Sequence, residues 1–406
     1  MKTDIDGLMA QRGIDAMVIM GESVGNHALR YMTGGAKVSH AMVVKKRGEP
    51  ALLICNPMER EEAARSGLTV TTTNDYDYPA LVNETRSYFE AEMRLLATIF
   101  ERHDITGTVS FYGVADPGRA YLLLSRLAQL VPTITVTGEP ETSLFDEAYA
   151  TKSAEELELL RDAARRTNAV FAETVDFIRG HAVGDGLLLK EDGAPLTIGD
   201  VRQFARMRLM AHGLEEEGPM ILAIGRDGGI PHSRGEDSDP VALGRSIVFD
   251  LFPRVIETGY FHDMTRTFCL AYAPPEVERA YQQVMQAFNA VIDSLRVGEP
   301  TATYQNIVCD VFEEHGHPTP RSKPGTVEGY VHSVGHGLGL QIHSRPRFST
   351  ISQEVVQVGH VFTVEPGLYY PDQGFGVRVE DTVYIDEDGQ VQSLTPFSKD
   401  LVIPVG

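Results

Sequence analysis

Two apolar ribbons in the C-terminal half of this chain carry acids where buried strands should have none. The first, SIVFDLFPRVIETGYFHDMTRTF, reads as two strands joined by a turn that includes Thr258 and Gly259. Asp250 and Asp263 are equidistant from its midpoint between Ile256 and Glu257, which predicts a directly opposed cross-strand pair with Cβ atoms ~5 Å apart. The second, VFTVEPGLYYPDQGFGVRVEDTVYI, repeats the arrangement with Glu365 and Glu380 about a turn at 372–374. The runs IVF before Asp250 and FTV before Glu365 mark both acids as buried, and buried charge is costly unless paired or metal-bound. Carboxylates held this close raise each other's pKa unless a cation lies between them. The two ribbons therefore predict a metal site where they meet.

Between them lies VHSVGHGLGLQIH, with three histidines and three glycines (331–343). Gly335, Gly337 and Gly339 would each cost a helix roughly 1 kcal/mol, so the histidines are expected to project from extended or looping backbone. Four carboxylates joined by one imidazole form a hard, oxygen-rich set. It suits Mn²⁺, Co²⁺, Fe²⁺ or Zn²⁺ better than a closed structural zinc site does, and four negative charges match two such ions. The residues alone leave open which histidine joins the set. A mononuclear H-E-x-x-H protease is excluded, because Ser333 stands where the glutamate would be.

The formal charge of −21 argues against a phosphate backbone or an anionic membrane as main partner. No run approaches the ~20 apolar residues that span a bilayer, and the N-terminus does not read as a signal peptide. Cys55, Cys269 and Cys309 are far apart, which suits a reducing compartment. The expectation is a cytoplasmic protein. At 406 residues two domains are expected, 1–147 and 148–406. The first alternates strand-like runs (15–20, 41–55, 133–137) with helical ones (79–103, 117–130) and carries no catalytic cluster. The second opens on a long amphipathic helix with a capping box at Ser153 and Glu156. Helices are expected at 199–213, 275–297 and 301–315, strands at 219–224, 245–252, 258–270, 361–370 and 376–386, and a surface loop at 187–197.

The motifs DLFPRVIETGYFHDMTRTF, HSVGHGLGLQIH, FTVEPGLYY and GVRVED resemble, in order, those of the pita-bread metallopeptidases, in the aminopeptidase P and prolidase branch. The resemblance covers 150–400 well. It implies an α+β fold: a C-terminal pita-bread domain preceded by a smaller α/β domain of creatinase/prolidase type. It also implies two divalent metal ions per chain, foremost Mn²⁺, on Asp250, Asp263, His336, Glu365 and Glu380. The substrate it implies is a small peptide with proline in second position. A metal-bridging hydroxide would attack the Xaa–Pro bond, with Glu365 carrying the proton to the leaving nitrogen. His332 and His343 match the pair that contacts the scissile carbonyl, and His232 in GIPHSRG matches a pocket histidine.

Arg378 shares strand parity with Glu380 and is expected to flank the pocket, while Arg347 is in place to meet a substrate carboxylate or to be a solvated loop arginine. His262, on the opposite face from Asp263, is expected to be a packing residue. A homodimer is implied, with the N-terminal domains shaping the entrance. The segment between Asp250 and Gly259 is longer than the common family form, and Ser344 replaces the usual Glu. Ectoine hydrolase, a creatinase-like enzyme and a dimethylsulfoniopropionate lyase are alternatives on the same scaffold. A non-catalytic binding protein is disfavoured by the full ligand set.

Overall fold

The computed structural model describes residues 4–23 and 25–406, which divide into two units, Met1–Ala148 and Tyr149–Gly406. In the first, a six-stranded mixed sheet runs in the order Thr69–Thr72, Leu52–Cys55, His40–Lys46, Ala16–Glu22, Gly107–Tyr112, Ile134–Thr137. The helices Tyr88–Arg102 and Pro117–Leu130 bury Leu96, Ile99, Phe100, Leu123 and Leu127 in the same core as Val18, Met20 and Val109 of the sheet. Ser87 and Asp116 cap them, each side chain accepting from a first-turn N–H. The run expected as one helix at 79–103 is two, Tyr78–Thr85 and Tyr88–Arg102, broken at Arg86 with φ 55°.

The second unit opens with helix α1 (Ala154–Arg179), whose capping box is formed: Glu156 N–H donates to Ser153 Oγ at 3.3 Å and Ser153 N–H to Glu156 Oε2 at 2.9 Å. Helix α2 (Ile198–Ala211) is capped the same way by Thr197 and Asp200. These two helices share a core with strands β1 (Ser246–Leu251) and β2 (Met264–Leu270) through Phe171, Val201, Phe249 and Phe268. Helices α3 (Pro275–Ser294) and α4 (Thr301–Glu314) share another with β3 (Val361–Val364), β4 (Gly367–Tyr370), β5 (Phe375–Arg378) and β6 (Asp381–Ile385). β1 and β2 form the centre of a four-stranded sheet, β3 and β6 belong to a five-stranded one, and β4 and β5 make a separate ribbon. The segment 187–197, expected as a surface loop, carries the strand Leu187–Leu189 and buries Leu188 and Leu196 completely, because two leucines supply apolar surface that a loop would waste.

The first ribbon departs from its expected register. β1 pairs with β2 so that Asp250 lies opposite Thr265, not opposite Asp263. Val255 N–H donates to Tyr260 O, Arg254 bridges Phe261, and the tip is 256–259, closed by Gly259 at φ 78°. The turn centre is thus one residue later than expected, and 258–263 is tip and loop rather than strand. The offset moves the pairing by two residues, so Asp250 and Asp263 stay on one face as diagonal neighbours. The second ribbon keeps its expected register across both halves: Gly367 opposes Arg378 in β4–β5, and Val364 opposes Asp381 in β3–β6. Glu365 and Glu380 fall at the gap between these ladders.

Candidate metal centre

Five segments bring their side chains to one buried place. Asp250 comes from the next-to-last pair of the β1–β2 ladder and Asp263 from the residue before β2. Glu365 and Glu380 come from the gap in the second ribbon, where their freed N–H groups reach outward. Glu365 N–H donates to Val334 O at 2.8 Å, and Glu380 N–H donates to Thr265 O at 3.0 Å. The gap thereby docks the second ribbon on the first and on the histidine loop.

That loop owes its path to close packing. A Cβ on Gly335 would lie 1.9 Å from the carbonyl oxygen of Thr363, and one on Gly337 1.9 Å from that of Arg345. Neither glycine has positive φ; each lets the loop lie directly between two backbones. His336 is held there by its N–H, which donates to Thr363 Oγ1 at 3.1 Å.

One ligand atom each from Asp263, His336 and Glu380 lie within 4.8 Å of one another. His336 Nε2 is 3.6 Å from Asp263 Oδ2 and 3.5 Å from Glu365 Oε1. Asp250 and Glu365 stand beside this trio and act on it electrically. Burial, then the charges of Glu380, Asp250 and Glu365, push the Asp263 carboxyl well above the usual range. Burial, then Glu365 and Asp250, do the same to Glu380. Burial raises Glu365 to about 7 and lowers His336 to about 3, so the imidazole is neutral with a lone pair to give. Asp250 Oδ1 and Asp263 Oδ1 are buried without a hydrogen-bond partner. Buried carboxylate oxygens without donors, raised carboxyls and a neutral imidazole are what a site for divalent cations presents. The residues fit the ions.

Arg378 is 3% exposed, and its three guanidinium nitrogens are engaged. Nη2 donates to Asp250 Oδ2 at 2.6 Å, Nε to Thr265 Oγ1 at 3.2 Å, and Nη1 to Tyr369 Oη at 2.9 Å. It reaches the centre through Asp250 rather than as a free donor to a ligand. His332 is likewise tied, Nδ1 to Ser333 O at 2.7 Å and Nε2 to Tyr369 Oη at 2.8 Å. His343 stands exposed with its ring centroid 4.4 Å from that of His336. His232 is exposed and close enough to depress the pKa of both His332 and His343, after the larger effect of burial. Arg347 is exposed on the strand Ser344–Arg347, directly opposite His336 in register, and its N–H donates to Glu354. His262 is 1% exposed and bonds Thr395 Oγ1 at 3.1 Å.

Reasoning from the chain alone missed a set of buried threonines and Tyr369. Thr265 Oγ1 donates to Glu380 Oε2 at 2.6 Å, Thr382 Oγ1 to Asp263 O at 2.7 Å, and Thr267 Oγ1 to Arg378 O at 2.9 Å. Their signal was present: threonine alternates with apolar or charged residues in TRT, FTV and DTV on strands that bury both faces, where a hydroxyl needs a partner.

Comparison with known proteins agrees with this geometry. Residues 158–387 match the metallopeptidase family M24 and residues 3–112 the creatinase/prolidase N-terminal domain. The Xaa-Pro dipeptidase of Pyrococcus furiosus is 31% identical over 182 residues, 45% of this chain and 48% of its own. The chain spans about half the length of the first curated relatives it matches. The "Uncharacterized peptidase YqhT" of Bacillus subtilis aligns over 98% of both chains at 25% identity. Among solved structures, the X-Pro aminopeptidase from Thermotoga maritima superposes with a TM-score of 0.77 at 21% identity, covering 98% of this chain and 99% of its own, which shows the fold. Since the M24 match takes in more than half of the residues, this chain belongs to metallopeptidase family M24, in the aminopeptidase P/prolidase branch, with a creatinase-type N-terminal domain followed in sequence by an α+β pita-bread domain.

Proposed function

We propose that this protein hydrolyses the Xaa–Pro peptide bond, in dipeptides or at the N-terminus of longer peptides, with two divalent cations held by Asp250, Asp263, His336, Glu365 and Glu380. The observation that carries the reading is the buried convergence of Asp263, His336 and Glu380 within 4.8 Å, beside carboxylate oxygens that have no donor. The substrate class is carried over from relatives named Xaa-Pro dipeptidase. When bound, divalent cations polarise the scissile carbonyl and make a water-derived nucleophile available at neutral pH.

This chain's own residues do the rest. Glu365, half-buried beside the trio, takes a proton and delivers it to the leaving nitrogen. His343 and His232, exposed at the mouth, donate toward the carbonyl oxygen as charge develops on it. His332, fixed by Tyr369, and Arg378, fixed on Asp250, keep the wall of the site in place. Arg347, opposite His336 and exposed, meets the C-terminal carboxylate of a dipeptide.

The test is a turnover panel on metal-stripped protein reloaded with Mn²⁺, Co²⁺ or Zn²⁺, using Ala-Pro and Ala-Pro-Ala. Cleavage of at least one, highest with Mn²⁺ and abolished by chelator, is expected. Arg347→Ala should raise KM for Ala-Pro more than for Ala-Pro-Ala. Cleavage of neither peptide by a protein that binds its ions would transfer the reading to a non-peptide substrate on this scaffold.

A further inference from the structure

Asp263 and Glu380 belong to different ribbons, and the ladders that order each ribbon do not by themselves fix one against the other. Apart from the single bridge between Thr265 and Glu380, the join is made by side chains and by the chain beyond the last strand of the second ribbon's sheet. Residues 395–400 have no helix or strand, yet Leu394 and Thr395 are buried. Where a coil segment dips into the interior, as it does at Thr395, its polar groups must find partners outside any ladder. Here those partners are the residues that flank the metal centre.

Thr395 Oγ1 accepts from Thr382 N–H at 3.0 Å and bonds His262 Nε2 at 3.1 Å. One hydroxyl thus joins the strand that follows Glu380 to the residue that precedes Asp263. Arg266, 3% exposed, makes the second join. It donates to the carbonyls of Phe397 and Ser398, each at 2.9 Å, and also to the carbonyls of Thr265 and Glu380 and to Asp381 Oδ1. Lys399 Nζ closes the far end on Asp381 Oδ2 at 2.7 Å, and the Phe397 ring packs on Phe171 with centroids 4.8 Å apart.

We infer that the segment 394–399 is a positioning strap for the metal centre, which sets the spacing of Asp263 and Glu380 through Thr395 and Arg266. The inference rests on the metal-centre reading above. None of these groups reaches the ligand oxygens, so Thr395 and Arg266 are positioning residues and not catalytic ones. A carboxylate pair that must share cations tolerates little change in spacing, and partners of ligands are worth roughly 10–100-fold in metal affinity.

The experiment compares Co²⁺ binding and the visible Co²⁺ absorption of the full-length wild type, Thr395→Val and Thr395→Ser, with near-UV circular dichroism of the metal-free proteins as the fold control. Valine keeps the volume and removes the hydroxyl; serine keeps the hydroxyl. The expected result is Co²⁺ binding at least roughly 10-fold weaker and an altered absorption band in Thr395→Val, with Thr395→Ser within about 2-fold of wild type. A folded Thr395→Val with wild-type affinity and spectrum overturns the strap. If Thr395→Val does not fold, Lys399→Ala decides: about 3-fold weaker binding supports the strap, and unchanged binding overturns it. Absence of Co²⁺ binding by the wild type overturns the metal-centre reading itself, which the other outcomes leave standing.

Discussion

The ribbon carrying Asp250 and Asp263 and the ribbon carrying Glu365 and Glu380 turn alike and are built differently. Each closes on a short tip whose last residue is a glycine with positive φ, Gly259 at 78° and Gly374 at 80°. Asp250 and Glu365 lie the same number of residues before these glycines. Above the tips the likeness ends. In the first ribbon the ladder runs through Asp250, which is opposite Thr265 and has its backbone committed to strand pairing. In the second the ladder stops at the acids, and the N–H groups of Glu365 and Glu380 are spent on Val334 and Thr265. Both ribbons release a donor where a ladder breaks, Phe261 N–H to Gly339 O at 2.8 Å in the first, but only in the second are the N–H groups of both acids released, which makes the first ribbon chiefly the platform and the second the connector.

That distinction makes substitutions at the two ribbons unequal in kind. Asp263→Asn keeps shape and removes one charge from the trio. It should lower kcat/KM on an Xaa–Pro peptide by on the order of 10³-fold, with circular dichroism unchanged. Glu380→Gln should cost as much activity and also weaken the bond from Thr265 Oγ1 that joins the ribbons, seen as a lower unfolding midpoint of the Mn²⁺-loaded protein. Unchanged turnover in Asp263→Asn refutes the ligand assignment.

A pH series separates the two further. In the metal-free protein the carboxyls of Asp263 and Glu380 are raised, and Glu365 is raised to about 7. A carboxyl raised on folding adds stability that is fully present below its unfolded value and is lost as pH rises through the folded one. The thermal midpoint of metal-stripped protein should fall by about 5 °C or more between pH 5 and pH 8. Mn²⁺ should abolish the fall, and Glu365→Gln should shrink it. A flat profile without metal would show that the carboxyls are not forced together.

The two ribbons also differ in how far the bare chain exposed them. Acids inside the apolar runs IVFD and FTVE were legible, because strand periodicity and the cost of buried charge both speak from local sequence. The pairing of the second ribbon was legible as well, since its tip is compact and ends on Gly374. In the first ribbon the symmetry of the acids points to a centre between Ile256 and Glu257, whereas the tip is closed by Gly259. Measuring back from Gly259 gives the observed pairing. The error did no harm to the site, since a shift by two residues preserves the face. What the chain could not show was anything made by contact between distant segments: the guanidinium of Arg378 on Asp250, Thr382 on the Asp263 carbonyl, or the burial of Leu188 in a stretch that reads as polar loop.

The threonine rivets offer a finer comparison. Thr265 Oγ1 donates to Glu380 Oε2 at 2.6 Å and accepts from Arg378 Nε, so Thr265→Val strips a ligand and an arginine at once. It should weaken Mn²⁺ binding roughly 10–100-fold by calorimetry. Thr363 Oγ1 reaches Glu365 Oε1 only at 3.4 Å and accepts from the backbone N–H of His336 at 3.1 Å, so Thr363→Val frees no ligand from a strong side-chain bond and should cost several-fold less. The reverse order would show that the placement of His336 on Thr363 matters more than the hold on Glu380.

The smallest effects belong to the tips. Gly259→Ala and Gly374→Ala each place a Cβ on a left-handed backbone, at a cost of about 1 kcal/mol. At Gly374 the new methyl meets Arg245 Nη1 at 3.7 Å, an ordinary contact, so strain is the whole penalty there. Each variant should unfold at a slightly lower denaturant concentration and bind Mn²⁺ like the wild type. Metal binding should be insensitive because faces, not tips, place the acids: a slip of one residue would exchange the two faces of β1 and β5, which are packed on both sides, and a slip of two keeps each acid on its face. A loss of Mn²⁺ affinity in Gly259→Ala alone would mean that the loop 256–263, which has no ladder of its own beyond one bridge, takes its placement of Asp263 from the glycine and not from β2.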